Sequence, residues 1–372
     1  EGQLDFHDAL VKLYAELAAG RQIDLLYTKN LDADWLGERG YLEDLYSYMD
    51  GSGGIRKADI LEEVLSLLER DGHVYWLFPY FSLEALAVRG GGGVKEASGS
   101  SWFGESEAFG SSLFDEPEPA GIQAALYNMS RLEFLRRLLL VNRREWIISE
   151  AGTDTVQREK LERMLRAAYL LEEKSYAESV PTEDEIRIAN VKVDSLFILQ
   201  GYQSVWPDLS FHGYSGQDGR GVLMCPEAMA WELGICKTGA SKKEAWEFLS
   251  WLLSRDEGIM TNAFPILSEK MEEKLLDETT SRSGEDASES AWRMILEIGG
   301  APFYCDAATG REEDVFRELL GQAVLERSFD DTIWEIIEEE VQPYFLGGKT
   351  LQEAADIICS RMQLFLDEME NR

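Results

Sequence analysis

The first 80 residues alternate between helical and strand-like segments, and this order restricts the fold more than any other feature. Apolar residues recur at helical spacing over 9–17 and again over 60–68, which predicts two amphipathic helices. The short apolar run 23–27 and the run 73–78, which Pro79 ends, predict two strands. A helix–strand–helix–strand order is typical of an α/β lobe.

The length and later composition predict more than one domain. A chain of 372 residues is long enough for two or three domains of roughly 100–200 residues each. The segment Gly90–Pro119, rich in glycine, serine and proline, predicts a loop and the first crossing between lobes. Beyond it we predict helices over 132–139 and 161–171 and a strand over 191–199.

The last 135 or so residues carry further helix signals. Ser241–Glu244 and Thr350–Glu353 both have the spacing of a capping box, in which a hydroxyl and a carboxylate bond to each other's backbone amides. Apolar stripes predict closing helices over 333–341 and 351–365. The charged segment 268–290 is expected to be exposed.

The charge excludes several partner classes. The chain has 70 acidic and 36 basic residues, a formal net charge of −34. Nucleic acid is excluded because its phosphates need lysine or arginine to displace their counterions. Anionic membranes and polyanionic substrates are disfavoured for the same reason. The acidic surface suits a neutral or cationic ligand.

No catalytic or metal-binding motif is complete. Gly90–Gly93 lacks the third glycine of a dinucleotide loop, Gly347–Thr350 has Pro343 where a Walker loop needs glycine, and Gln217 interrupts a nucleophile elbow. The three histidines form no zinc motif, and Cys225, Cys236, Cys305 and Cys359 are expected to be free thiols. We therefore expect no metal, no cofactor and no enzymatic activity, although chance carboxylate pairs leave glycoside hydrolysis open.

Aromatic residues stand where predicted strands run into loops. The chain has 10 Trp, 14 Tyr and 16 Phe. In open α/β sheets, ligands bind beyond the carboxyl ends of the strands. A sugar ring stacks its C–H face on an aromatic ring, and fixed polar groups bind its hydroxyls. The aromatic residues at such positions are Tyr27, Tyr80, Phe81, Tyr202, Trp206 and Tyr214, and the polar ones are Thr28, Asn30, Asp32, Glu84 and Asp218.

Six segments, in order along the chain, match sequence motifs of one family. Segment 20–45 is similar to the motif G-x-x-P-D-I-I … G-x-L-x-D-L, and 240–249 is similar to the helix motif S-K-x-K-E-A-W-E-F-L. The other four segments are 73–79, 212–221, 264–267 and 332–368. Taken together, these segments resemble the bacterial extracellular solute-binding proteins of family 1, the sugar-type receptors of ABC importers related to maltose-binding protein.

The resemblance implies a two-lobe periplasmic-binding-protein-like α/β fold, with helices around a mixed sheet in each lobe and a hinge between them. Lobe 1 would comprise 1–97 and 205–300, and lobe 2 would comprise 98–204 and 301–372. The family begins with a strand, a helix and a second strand before the position of Asp24. Since only 22 residues precede Ile23, we expect lobe 1 to lack those opening elements.

The resemblance also implies a function. The protein would capture a small solute, above all a mono- or oligosaccharide, in an interlobe cleft and deliver it to the membrane permease of an ABC importer. It would act outside the cell as a monomer, lipid-anchored to the outer face of the cytoplasmic membrane in its full-length precursor. The ligand-binding residues would be Thr28, Asn30, Asp32, Tyr80, Phe81, Glu84, Tyr202, Trp206, Tyr214 and Asp218.

Two alternatives remain open at this stage. One is a glycoside-processing enzyme, which would release a product from a glycan. The other is a surface interaction protein that has lost its ligand site together with the opening elements.

Overall fold

The computed structural model describes most of the chain: residues 6–51, 53–89, 124–127, 129–150, 153–174, 186–206, 208–214, 221–227, 231–255, 262–280, 294–298, 301–305, 307–326 and 331–370. The predicted loop from Gly90 to Pro119 and the site residue Asp218 lie outside these ranges.

Helices and strands are interspersed throughout the described residues. The first half contains α1 (Phe6–Ala18), β1 (Leu25–Tyr27), α2 (Ala33–Glu38), α3 (Tyr46–Met49), α4 (Glu62–Leu68), β2 (Tyr80–Arg89), β3 (Ala124–Tyr127), α5 (Arg131–Val141), α6 (Arg143–Trp146), β4 (Ile147–Glu150), β5 (Thr153–Val156), α7 (Arg158–Leu170) and β6 (Glu172–Lys174).

The second half contains β7 (Ile186–Val193), α8 (Leu196–Val205), β8 (Leu209–His212), β9 (Val222–Pro226), β10 (Leu233–Ile235), α9 (Lys242–Ser254), β11 (Phe264–Pro265), α10 (Ser268–Thr279), β12 (Met294–Ile298), β13 (Ala301–Cys305), α11 (Gly310–Gly321), β14 (Ala323–Leu325), α12 (Asp331–Phe345) and α13 (Leu351–Glu370).

The chain divides into two compact units, each discontinuous in sequence. Unit 1 comprises Glu1–Phe81 and Pro226–Glu273, and unit 2 comprises Ser82–Cys225 and Lys274–Arg372. The chain therefore passes between units at 81–82, 225–226 and 273–274, whereas we predicted crossings near 97, 205 and 300. The difference has a physical reason at the first crossing: β2 is one unbroken strand that begins in unit 1 and continues into unit 2, so no loop composition marks the boundary.

Unit 1 is built around the short strands β1 and β10. They pair antiparallel, with Leu26 opposite Gly234 and Tyr27 opposite Leu233. On the other side of β10, Leu77 and Leu233 exchange backbone hydrogen bonds of 3.0 and 2.9 Å. The predicted strand 73–78 is thus an extended segment with isolated bridges. The core of unit 1 includes the fully buried residues Leu36, Leu42, Leu45, Val64, Leu68, Leu77, Phe78, Ile235, Leu249 and Ile266.

Unit 2 is built on a larger mixed sheet. Its strand order is β14-β9-β2-β7-β3-β6, and β8 also pairs with β2. β3 runs parallel to β6 and β7, whereas β2 runs antiparallel to β7 and β8. The apolar stripes of α5, α7, α12 and α13 contribute to one buried cluster that also holds Leu126, Ile188 and Leu223 from the sheet. The long helices predicted from their stripes are confirmed.

Two local predictions are wrong. The strand predicted over 191–199 ends at Val193, and the Ser195 hydroxyl then caps α8 by accepting a hydrogen bond from the Phe197 amide at 3.1 Å. The predicted capping box at Ser241 is absent: the Ser241 side chain makes no cap bond, and its amide donates to Asp24 at 2.9 Å. Segment 268–290 contains α10, whose Met271 and Leu275 are buried.

Candidate functional site

The loop after β1 in unit 1 is a tight turn held by hydrogen bonds. The Thr28 amide donates to the Glu232 carbonyl at 2.8 Å, and the Leu31 amide donates to the Thr28 carbonyl at 2.9 Å. Asn30 lies in the left-handed region with φ of 62°, a conformation that asparagine tolerates better than most residues. Asp32 caps α2 by accepting from the Trp35 amide at 2.9 Å. The predicted residues Thr28, Asn30 and Asp32 are therefore held in one fixed turn at the carboxyl end of β1.

The Thr28 hydroxyl is buried without a hydrogen bond, as are the Ser82 hydroxyl and the Trp76 indole nitrogen. The residue is 2% exposed, and no group in the described part of the chain bonds to Oγ1. An unpaired buried hydroxyl costs roughly 1–3 kcal/mol. The backbone of Thr28 makes two hydrogen bonds, so the turn does not depend on the side-chain oxygen.

Two exposed aromatic rings meet at the same end of the sheet. The Tyr27 and Trp231 rings are 6.4 Å apart between centroids, with an angle of 62° between their planes. Tyr27 is 46% exposed and Trp231 is 56% exposed. Partial burial raises the pKa of the Tyr27 phenol, and the nearby Glu232 carboxylate raises it further. Tyr27 is one of the aromatic residues predicted to lie at a strand end, but neither Tyr27 nor Trp231 is among the predicted binding residues.

Tyr80 and Phe81, predicted to bind ligand, have structural contacts in unit 1. The Tyr80 hydroxyl donates to the Arg255 carbonyl at 3.0 Å. Phe81 is fully buried, and its ring centroid is 5.9 Å from that of Phe264. Phe81 is thus a core residue, out of reach of a solute in this structure, because its ring has no exposed surface and packs against Phe264, its partner in the β2–β11 pair.

Glu84 and Tyr214, also predicted to bind ligand, belong to a buried polar network in unit 2. The Glu84 carboxylate accepts from Nε and Nη2 of Arg137, the second bond measuring 3.3 Å. Burial opposes the charge of Arg137, but the bonds to Glu84 outweigh it and raise the pKa of the guanidinium. The Tyr214 hydroxyl donates to Oδ1 of Asn190, and burial raises the pKa of Tyr214 well above its ordinary value.

Tyr202 and Trp206 lie at the end of α8 in unit 2. Their ring centroids are 5.9 Å apart, and the Tyr202 ring also meets that of Phe211 at 6.5 Å. Burial raises the pKa of Tyr202. Both residues are half-buried, so these rings combine packing with partial access to solvent.

Within the described ranges, no group of three or more His, Cys, Asp or Glu side chains is arranged to hold a metal ion. Of the helices placed in the structure, none is long and apolar enough to cross a membrane. Cys225, Cys236 and Cys359 are free thiols, as expected for these three; the Cys305 side chain lies outside the description.

Comparison with known proteins identifies the fold. No family model matches the chain, and no curated protein matches its sequence. Solved structures do match over nearly its whole length. A family 1 extracellular solute-binding protein from Alicyclobacillus acidocaldarius is 15% identical, with 97% of this chain and 88% of that chain covered and a TM-score of 0.54. The sugar-binding protein MalE from Xanthomonas citri is 13% identical, with 99% and 90% covered and a TM-score of 0.53. The chain has the fold of the bacterial solute-binding proteins.

A third solved structure has a similar fold. A putative oligosaccharide periplasmic-binding protein from Synechococcus is 13% identical, with 99% of this chain and 91% of that chain covered and a TM-score of 0.51. The two-lobe α/β fold class implied by the sequence resemblance is thereby confirmed. In all three comparisons the identity is low, so the likeness concerns the backbone and not the ligand-contacting side chains.

Some of the predicted site residues lie together in the structure, and others make structural contacts elsewhere. Thr28, Asn30 and Asp32 share one turn, and Tyr202 and Trp206 share one helix end. Glu84 bonds to Arg137, a residue outside the predicted set, and Tyr214 bonds to Asn190 while the charge of Arg137 lowers its pKa against the effect of burial. Trp231 was missed because its link to Tyr27 depends on the pairing of β1 with β10, two strands about 200 residues apart. No local sequence pattern predicts such a pairing.

Proposed function

We propose that this protein is an extracellular receptor that captures a small carbohydrate and delivers it to the permease of an ABC importer. The observation that carries the proposal is the fold shared over nearly the whole chain with the sugar-binding protein MalE and with a family 1 solute-binding protein, and it is supported by the unpaired buried hydroxyl of Thr28 in the turn after β1. The receptor would bind without turnover, act as a monomer and be lipid-anchored in its full-length precursor. The acidic surface favours neutral sugars over anionic ones.

The binding residues remain a prediction, and the contacts described above favour some members of the predicted set over others. Thr28 and Asn30 of unit 1 and Tyr202 and Trp206 of unit 2 are the members of the predicted set that we retain as first candidates. Glu84 and Tyr214 are retained as supports of the network around Arg137. Capture would shift the population toward a closed form only if the sugar binds that form more tightly.

A thermal-shift screen tests the proposed function. We expect at least one of glucose, galactose, xylose, maltotriose and cellotriose to raise the melting temperature, since a ligand at a hundred times its Kd stabilises the folded state by about 2.7 kcal/mol. Spermidine is the control, because a chain with a net charge of −34 also attracts cations. If no sugar in a broader glycan panel shifts the midpoint at millimolar concentration, the carbohydrate receptor is excluded. Release of product from any bound oligosaccharide, seen by chromatography, would instead indicate an enzyme.

Replacing Thr28 by valine should separate stability from binding. Valine keeps the shape of the side chain and removes the unpaired hydroxyl, so we expect Thr28→Val to raise the free energy of unfolding by about 1 kcal/mol. If the hydroxyl binds the sugar, affinity should fall about tenfold, equivalent to about 1.4 kcal/mol. Urea unfolding and calorimetric titration measure the two effects.

Thr238→Val is the matched control in the same unit. The Thr238 hydroxyl donates to the Arg21 carbonyl at 2.8 Å, so its removal should destabilise unit 1 by about 0.5–1 kcal/mol. Stability changes of opposite sign in the two variants are expected. A loss of stability in Thr28→Val equal to that in Thr238→Val would show that the Thr28 hydroxyl has a partner after all.

A further inference from the structure

Basic residues are concentrated in one part of unit 2. Segment 131–166 contains nine basic and six acidic residues, whereas the whole chain has 36 basic and 70 acidic residues. A quarter of the basic residues thus lie in about a tenth of the chain length. The segment forms α5, α6, β4, β5 and α7, so its excess of positive charge belongs to one folded part of unit 2.

Three of the acidic side chains in this segment are engaged in local contacts. The Glu133 carboxylate closes the capping box at the start of α5, where a helix terminus favours negative charge. The Glu145 carboxylate lies 3.9 Å from Nζ of Lys160, and the Glu162 carboxylate lies 2.9 Å from Nη1 of Arg158. The negative charges of these three residues are therefore already balanced within the protein.

Three exposed arginines of the segment have no such balance. Within the residues that the structure describes, no carboxylate forms an ion pair with Arg143, Arg144 or Arg163. Arg143 and Arg144 begin α6, and Arg163 lies on the exposed side of α7. Lys160 is a fourth positive group, because its contact with Glu145 is long. We refer to Arg143, Arg144, Lys160 and Arg163 as the basic surface.

Contacts between α6 and α7 bring the two parts of the basic surface together. The Gln157 amide, just before α7, donates to the Trp146 carbonyl at the end of α6 at 2.7 Å. The contact between Lys160 and Glu145 places the next turn of α7 beside α6. Arg163 follows Lys160 by three residues and so lies one turn further along the same side of α7. The indole of the fully buried Trp146 donates to a carbonyl of α5 at 3.0 Å, which fixes α6 in place.

The basic surface can act locally although the chain as a whole is strongly negative. The net charge of −34 disfavours an anionic partner when it is averaged over the whole chain. At physiological ionic strength, however, interactions between exposed charges are screened beyond about 8 Å. A partner that touches this face therefore meets mainly the nearest positive charges. A guanidinium binds phosphate oxygens through two parallel hydrogen bonds, so phosphate is the anion that arginines recognise best.

We propose that the basic surface binds the phosphate groups of an anionic lipid bilayer. The four side chains belong to two adjacent helices and three of them are exposed, an arrangement that suits an array of phosphates at a broad surface. Each basic residue near such a bilayer raises the partition coefficient about fivefold. The contact would orient unit 2 toward the membrane. This inference goes beyond the proposed function and does not depend on the capture of a sugar.

Vesicle flotation at physiological ionic strength tests the proposal. The full chain would be mixed with vesicles of phosphatidylcholine alone or of phosphatidylcholine and phosphatidylglycerol in equal amounts. We expect the protein to bind only the anionic vesicles, and to dissociate at about 1 M salt, where charges are screened beyond about 3 Å. The triple variant Arg143→Gln, Arg144→Gln and Arg163→Gln should lower the partition coefficient about a hundredfold. If the wild-type protein does not bind the anionic vesicles, the proposal is wrong.

A second triple variant controls for net charge. Arg21→Gln, Arg56→Gln and Arg317→Gln together remove the same charge from arginine side chains that are 62%, 72% and 44% exposed but ion-paired. This variant should bind anionic vesicles as the wild-type protein does. Equal losses of binding in the two triple variants would show that the net charge governs binding, and would overturn the assignment to the basic surface. Circular dichroism verifies that both variants are folded.

Chemical modification of arginine tests the same surface without any substitution. Phenylglyoxal modifies exposed guanidinium groups, and mass spectrometry of peptides reports the sites. Anionic vesicles should protect Arg143, Arg144 and Arg163 and leave Arg56 as reactive as before. Inorganic phosphate at millimolar concentration and polyglutamate replace the vesicles in parallel samples. Protection by phosphate equal to that by vesicles would indicate a site for a soluble anion, and protection by polyglutamate alone would indicate an acidic protein partner; either result rules out the bilayer.

Discussion

Gly213→Ala is expected to destabilise unit 2 by about 3 kcal/mol or more, at the upper end of what overpacking costs. A Cβ at position 213 would lie 2.1 Å from the carbonyl carbon of Gly221 and 2.5 Å from its Cα. Both contacts are with backbone, which cannot move aside as a flexible side chain can. We expect urea unfolding, followed by circular dichroism, to show a lower midpoint with the same slope.

The surroundings of Gly213 explain why the clash cannot relax. Gly213 follows β8, which pairs with β2, and Gly221 precedes β9, which pairs with β14. The Tyr214 amide donates to the Gly221 carbonyl at 2.5 Å, and the Gly221 amide donates to the Gln322 carbonyl at 2.9 Å. Separating the two segments would break these bonds and disturb the sheet.

Gly321→Ala is the matched control in the same unit. Gly321 is the last residue of α11, and a Cβ there would meet no atom within 4 Å. Alanine favours a helix over glycine, so this variant should gain about 0.5 kcal/mol. If Gly213→Ala is tolerated as well as Gly321→Ala, the close approach of Gly213 to Gly221 does not exist in solution.

The sequence predicts the helices of this protein well because their signals are local. The stripes within α5, α7, α12 and α13 repeat at three and four residues, and each helix buries that stripe. The Thr350–Glu353 capping box is also confirmed, with the Thr350 amide donating to Glu353 at 2.8 Å and the Glu353 amide donating to the Thr350 hydroxyl at 3.2 Å.

The wrong secondary-structure predictions occur where contacts with distant segments determine which of two possible local structures forms. The run Leu196–Leu199 is apolar enough for either a strand or a helix, and periodicity alone does not distinguish the two in so short a run. The helix forms because Ser195 caps it and Glu278, distant in sequence, accepts from the Leu196 amide at 2.7 Å. At Ser241, Asp24 takes the amide that the capping box would have used.

In the candidate site too, the sequence predicts what neighbouring residues form and does not predict contacts between distant segments. The sequence places Thr28, Asn30 and Asp32 correctly in one loop after a strand, because all three lie close together in the chain. The sequence does not predict that Phe81 packs against Phe264 of β11 or that Glu84 bonds to Arg137, since these partners come from distant segments of the chain. The same limit applies to Trp231. Residues contributed by distant strands need the fold before their roles can be assigned.

Removal of the Arg137 charge is the other change for which we expect a large effect. Arg137 lies on α5 and Glu84 lies on β2. Only about a fifth of the surface of each side chain is exposed to solvent. Arg137→Met would leave the Glu84 carboxylate without its partner in a largely buried position, which costs about 3 kcal/mol. Burial raises the pKa values of Tyr214 and Cys225, and the Arg137 guanidinium opposes this effect at both residues.

A double-mutant cycle isolates the interaction from the loss of packing. Glu84→Gln alone should also destabilise unit 2, because Arg137 would then be the unpaired charge. In the Arg137→Met background the same substitution should cost at least about 1 kcal/mol less, since the double variant leaves neither charge behind. The exposed pair Arg158–Asp356, whose side chains are 42% and 63% exposed, supplies the control: Arg158→Met should change the free energy of unfolding by about 0.5 kcal/mol or less. Equal losses in Arg137→Met and Arg158→Met would show that the Glu84–Arg137 pair is fully hydrated, and additive effects in the cycle would show that the two side chains do not interact.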